Sequence, residues 1–158
     1  MQELAMVEWS DEALSGCGLN LVPKQIESVA DGQEFAYESL SDKVSLGNLS
    51  SAGFLVCARR DMILSKMERH TETMEMLVSL KGDSVICLAL PGAKPKPETI
   101  KAVRFPQGKA LAMYPGIWHW IPYPLQDEPS RCLVVFKERT GENDLELSEL
   151  NESIRLVL

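Results

Sequence analysis

Eight of the nine prolines of this 158-residue chain lie between Pro91 and Pro129. Proline has no backbone N–H and a fixed φ, so it breaks helix interiors and is kept out of central strands. That stretch cannot form a long helix and reads as short strands joined by fixed loops. The preceding residues agree. Residues 43–46, 54–58 and 62–70 are β-type runs separated by Gly47, Gly53 and the Arg59-Arg60-Asp61 corner. Residues 75–80 follow, then a turn at Lys81-Gly82-Asp83. Val85-Ile86-Cys87-Leu88-Ala89-Leu90 is an unbroken apolar run, as expected of a strand covered on both faces. Residues 99–105, 110–114 and 133–137 complete the series. Turn signals at such short, regular spacing predict an all-β sandwich or barrel.

Helical signals are confined to the ends. Ser10 caps Asp11-Glu12-Ala13-Leu14, and Gly16 stops it. Residues 145–154 place Leu145, Leu147, Leu150 and Ile154 at helical spacing, with a terminal strand as the alternative. The length suits one domain over residues 1–158, with ample core.

Charge and cysteine usage narrow the function. Asp and Glu number 23 against 16 Lys and Arg, for a net charge of −7. A nucleic-acid partner needs a basic stripe to replace phosphate counterions, so none is expected. A small anionic metabolite remains compatible, because net charge is not local charge. Cys17, Cys57, Cys87 and Cys132 form no C-x-x-C pair, and three of them sit in apolar company, which predicts reduced core thiols. No basic and apolar leader opens the chain, and no apolar run reaches membrane-spanning length. A cytoplasmic protein without a membrane partner is expected.

The two histidines, His70 and His119, exclude a three-His metal site within one chain. Glu68 and His70 are two apart on a predicted strand and so share a face, with Leu64 and Lys66, opposite Ile63, Ser65 and Met67. Glu75 opens the next strand and shares a face with Leu77. A carboxylate pointing into a β-barrel is costly unless paired, hydrogen-bonded or metal-bound. Glu68, His70, Glu75 and His119 can therefore meet in one pocket.

These spacings resemble the cupin superfamily. Its first motif has an H-x-H pair, a Glu shortly after and a Gly six residues further on. Here Glu68-x-His70 is followed by four residues, Glu75, six more and Gly82. Its second motif ends in G-x-x-H, matched by Gly116-Ile117-Trp118-His119, with Gly108 and Pro115 also in place. The resemblance implies a cupin-type double-stranded β-helix, a jelly-roll barrel with short terminal helices. It also implies a divalent metal ion held by His70, Glu75 and His119, with Glu68 a fourth candidate where the first His usually stands. No organic cofactor is implied. Two imidazoles with carboxylates suit Mn, Fe, Ni or Zn.

The chain also resembles ureidoglycolate lyases, cupins of allantoin degradation. Met67-Glu68-Arg69-His70, residues 76–83, Thr99-Ile100-Lys101-Ala102-Val103, Pro115-Gly116-Ile117-Trp118-His119-Trp120, Leu133-Val134-Val135-Phe136-Lys137 and Glu142-Asn143-Asp144 fall at the spacing of that family's blocks. It departs where the family has Pro, Gln, a second His and Arg: here stand Thr71, Glu75, Trp120 and Lys101. The resemblance implies cleavage of ureidoglycolate to glyoxylate and urea by a homodimer. His70, Glu75, His119 and Glu68 would be catalytic. Arg59, Arg60, Lys101, Trp118 and Trp120 would hold the substrate, Arg suiting a bidentate carboxylate contact. Two other readings stay open. One is a different metal-dependent cupin enzyme on a small hydroxy acid or sugar derivative; the other is a non-catalytic small-ligand-binding cupin.

Overall fold

The computed structural model describes residues 1–21 and 43–158. In chain order these form β1 (Gln2–Val7), α1 (Asp11–Leu14), β2 (Gly18–Asn20), β3 (Ser50–Cys57), β4 (Ile63–Arg69), β5 (Glu75–Lys81) and β6 (Ser84–Ala89). A 3-10 turn at Pro97–Thr99 precedes β7 (Lys101–Phe105) and β8 (Ala110–Met113). Then come β9 (Trp118–Pro124), β10 (Ser130–Lys137), α2 (Thr140–Asn143) and β11 (Glu146–Val157). Six strands close on themselves in the order β1-β11-β4-β9-β6-β7, and a second sheet runs β2-β8-β5-β10-β3. This is the expected all-β barrel.

The apolar run predicted to be covered on both faces is β6, and all six of its residues are buried. Ile86 and Leu88 join Leu77, Leu111 and Cys132 in the core between the two sheets. Val85, Cys87 and Ala89 point the other way, into a second core with Leu64, Met67, Trp118 and Tyr123. A third cluster on the outer face of the second sheet packs Leu21, Met74, Ala110 and Ala112. Further along that face β3 leaves Phe54 and Val56 exposed. All four cysteines are free and buried, as expected. Burial raises the thiols of Cys87 and Cys132 to about 12, which keeps them protonated and inert.

The helix at the start forms as expected: the Ser10 hydroxyl accepts from the Ala13 amide at 3.0 Å. The segment at the end does not. Residues 145–154 belong mostly to β11, a strand antiparallel to β4 and parallel to β1. The helical spacing of the leucines is incidental, since Leu145 and Leu147 are exposed while Ile154 and Leu156 alternate into the core. Pairing with β1, a strand the hydrophobic pattern did not reveal, decides the outcome. Residues 43–46 are not a strand either; they lie against Met74, whose amide donates to the Ser45 carbonyl.

β9 also escaped the sequence pattern because it carries Pro122 and Pro124. The ladder with β6 accommodates them by an irregularity. Val85 opposes Tyr123 and Cys87 opposes Trp120, so Ile121 and Pro122 together face Ile86. A bulge of this kind is where a sheet tolerates proline. β4 shows a similar slip. Leu64 and Met67, three apart, are both fully buried, at the level where the register with β11 shifts between Glu149 and Ile154. Among the described residues no helix is long and apolar enough to cross a membrane.

Candidate active site

Four side chains converge at one end of the barrel. Glu68 on β4 and His119 on β9 are direct cross-strand partners. His70 follows β4 immediately, and Glu75 opens β5 in the facing sheet. The Gly116 amide donates to the His70 carbonyl at 2.6 Å, tying the turn before β9 to the end of β4. Gly116 sits there at φ 82°, a conformation that disfavours any side chain. Gly82 does the same at φ 77° in the turn after β5.

The distances are short. His70 Nε2 lies 3.0 Å from Glu75 Oε2. His119 Nε2 lies 3.7 Å from both Glu68 Oε1 and Glu75 Oε2. The two rings are 5.2 Å apart, centre to centre. His70, Glu75 and His119 are all buried. Each ring is fixed from behind, because a carbonyl can only accept. His70 Nδ1–H donates to the Asp144 carbonyl at 2.6 Å, and His119 Nδ1–H donates to the Ile117 carbonyl at 3.1 Å. Both Nε2 atoms therefore face the cluster.

This arrangement fits a divalent metal. A carbonyl-held imidazole presenting Nε2 is the usual state of a metal ligand. His119 Nε2 is buried without a hydrogen-bond partner, which otherwise costs free energy. Glu68, His70 and His119 each offer one donor atom, all within 4.8 Å of one another. That trio takes Glu68 in place of Glu75 in the expected set of His70, Glu75 and His119.

Without a metal the site is an ion pair. Burial lowers the His70 pKa, but the hydrogen bond and charge of Glu75, the Asp144 carbonyl and Glu68 outweigh it and hold it at about 8. Burial raises Glu75, yet the charge of His119 and its contacts with His70 leave it below its usual range. Two opposite pH dependences are expected. For the metal-free chain, the stability from raised His70 is complete below its ordinary value of 6.5 and is lost as pH rises through about 8. Metal affinity instead rises with pH up to about 8, because the ion must displace the Nε2 proton. Unfolding and metal titrations across that window check both slopes; parallel slopes would show that His70 is not the linked group.

A cavity of about 200 Å³ opens beside the cluster, lined by Glu68, His70, Glu75, His119 and Trp120 and by an apolar wall including Leu55, Leu77, Val134 and Phe136. No Lys or Arg lines it among the described residues. The expected substrate clamps serve the backbone instead. Beyond Glu68 and His119, β9 leaves the β4 ladder, and its carbonyls need donors. Arg60 donates to the carbonyls of Ile121 and Pro122, and Arg59 to that of Pro124. Lys101 Nζ donates to the carbonyls of Ala13 and Ser15, at the end of α1. Trp118 is also outside the cavity. It is fully buried in the core, donates Nε1–H to the Gly92 carbonyl and lies under Arg69. Of the five expected substrate contacts only Trp120 lines the cavity, with Lys66 Nζ 5.1 Å from its ring centre.

Sequence reasoning missed Asp144. Its buried carboxylate accepts from the Thr71 amide, the Thr71 hydroxyl and the Glu72 amide. Burial raises its pKa, and those donors together with His70 bring it below the usual range. One signal was available. Thr71 stands where a proline would offer neither donor.

Fold and cluster together define a cupin-type barrel with a two-histidine, two-carboxylate centre. A family model described as ureidoglycolate lyase matches residues 24–157, and the chain belongs to that family. No curated protein matches it. Solved structures of oxalate decarboxylase from Bacillus subtilis are similar in part. One, at pH 4.6, has a TM-score of 0.45 and 14% identity over 65% of this chain and 24% of that one. Another, from work on that enzyme's Mn(II) centres, gives the same four values. The match thus spans about a quarter of those longer chains.

Proposed function

We propose that this chain cleaves ureidoglycolate to glyoxylate and urea. The observation that carries the reading is the cluster of two buried, Nε2-presenting imidazoles, the buried Glu75 and the half-buried Glu68 in a chain of the ureidoglycolate lyase family. The reaction moves one proton from the carbinol hydroxyl to the ureido nitrogen as the C–N bond breaks and the C=O bond forms. It consumes no water.

Glu75 suits the proton transfer. It is a buried carboxylate whose Oε2 reaches both histidines, 3.0 Å from His70 Nε2 and 3.7 Å from His119 Nε2. In this reading it takes the hydroxyl proton and delivers it to the departing nitrogen, general acid–base catalysis by one group. Glu68, His70 and His119 would hold a divalent ion, which supplies a charge for the substrate carboxylate and polarises the hydroxyl as a Lewis acid. The absence of lysine and arginine from the described lining supports that division of labour. Leu55, Leu77, Val134 and Phe136 keep water from the reacting carbon.

The same apolar wall favours a second reading, another small hydroxy acid as substrate for a metal-dependent cupin enzyme. Purified protein supplied with Mn, Fe, Ni or Zn in turn is expected to release glyoxylate and urea in equal amounts from ureidoglycolate. No product above background with any of them would remove the lyase reading and leave the hydroxy acids to be screened.

A further inference from the structure

We infer that Asp144 is the positioning residue that decides which nitrogen of His70 faces the cavity. The inference rests on the reading above in one respect, that His70 works through Nε2. Asp144 grips His70 twice. Its backbone carbonyl takes the Nδ1–H at 2.6 Å, across 74 residues of sequence. Its carboxylate takes three donors from the two residues that follow His70: the Thr71 amide at 2.8 Å, the Thr71 hydroxyl at 3.0 Å and the Glu72 amide at 2.9 Å.

The carbonyl has no ladder of its own to fix it. Asp144 lies between the four-residue α2 and β11, at φ −142° and ψ 46°, outside both elements. The Asp144 amide donates to the Thr140 carbonyl at 2.9 Å, and this bond and those of the carboxylate together place the Asp144 carbonyl, which places the ring. A hydrogen-bonded partner behind a ligating imidazole fixes its tautomer and direction, and removing such a partner costs metal affinity. Neither grip involves the cavity, so Asp144 touches no substrate and acts only through His70.

The test is Asp144→Asn, which keeps the shape but turns one acceptor oxygen into a donor facing the Thr71 and Glu72 amides. Calorimetric titration with Zn²⁺ is expected to show affinity about 10–100-fold below wild type. In the metal-free protein, side-chain nitrogen NMR above the His70 pKa is expected to pass from one Nδ1–H tautomer to a mixture. Asp83→Asn is the control. Asp83 also accepts a backbone amide, from Gln107 at 2.9 Å, and an Arg104 contact, but it does not line the cavity. It is expected to lower melting temperature without moving either readout.

Wild-type Zn²⁺ affinity within about threefold together with a single tautomer in Asp144→Asn would overturn the inference, as would an equal loss in Asp83→Asn. If Asp144→Asn does not fold, Thr71→Val removes only the hydroxyl contact. It should shift both readouts in the same direction by a smaller amount, and no shift would overturn the inference. If wild type takes up no Zn²⁺, the tautomer measurement decides alone. Failure of the lyase reading would appear separately, in the product assay.

Discussion

Glu75→Gln is expected to lower kcat for ureidoglycolate cleavage by about 10²–10⁴-fold, the range over which a positioned acid–base group contributes. The substitution keeps shape and volume at a buried position, and the amide oxygen can still accept from His70. Circular dichroism should therefore match wild type, which separates the effect from misfolding. KM should change little, because Glu75 is assigned to the moving proton and not to the substrate carboxylate. A second signature accompanies the first. The Glu75 hydrogen bond and charge lead the causes that raise His70, so the His70 pKa should fall back from about 8 in the variant. Turnover within about tenfold of wild type would assign the proton transfer to another group.

Trp118→Ala is expected to be the most destabilising single truncation around the site, costing about 3–5 kcal/mol. Its side chain is 1% exposed, packs in the core with Leu64, Met67 and Tyr123, and donates to the Gly92 carbonyl at 3.0 Å. A loss of that size is a large share of the roughly 5–15 kcal/mol that holds a typical domain together. Urea unfolding should show a lower midpoint with an unchanged slope. A variant as stable as wild type but with a raised KM would instead return Trp118 to the substrate, the role the sequence suggested.

The contrast between Trp118 and Trp120 shows what was legible. Both flank His119 in sequence, and alternation alone put them on one face. They do share it: Trp118 opposes Ala89 and Trp120 opposes Cys87 in an unbroken stretch of ladder, and both pack on the core with Leu64 and Met67, but only Trp120 also reaches the cavity, which alternation cannot tell. The same limit explains the cations. Arg59 and Arg60 read as an exposed corner, and nothing local reveals that β9 leaves carbonyls unpaired beside them. Spacing did suffice for Glu68, His70, Glu75 and His119, because strand alternation and two glycine turns fix their directions within short segments. It could not reach Asp144, whose bond to His70 spans 74 residues. β1 was hidden, and β11 was open only as the alternative to a helix, for the same reason: parallel pairing between these two distant segments leaves no local periodic mark.

The cluster draws on both layers of the fold. Glu68 and His119 belong to the closed six-stranded sheet, while Glu75 belongs to the sheet facing it. The gap between His119 Nε2 and Glu75 Oε2 is thus a ruler laid across the inter-sheet core. Leu77, Ile86, Leu88 and Leu111 fill that core and hold its thickness. Any swelling of the layers, from a mutation or heat, lengthens the ruler before a strand pair has to break. Such a protein would lose its chemistry as a loosened but still β-rich molecule, so the working site marks how tightly the two sheets are pressed together.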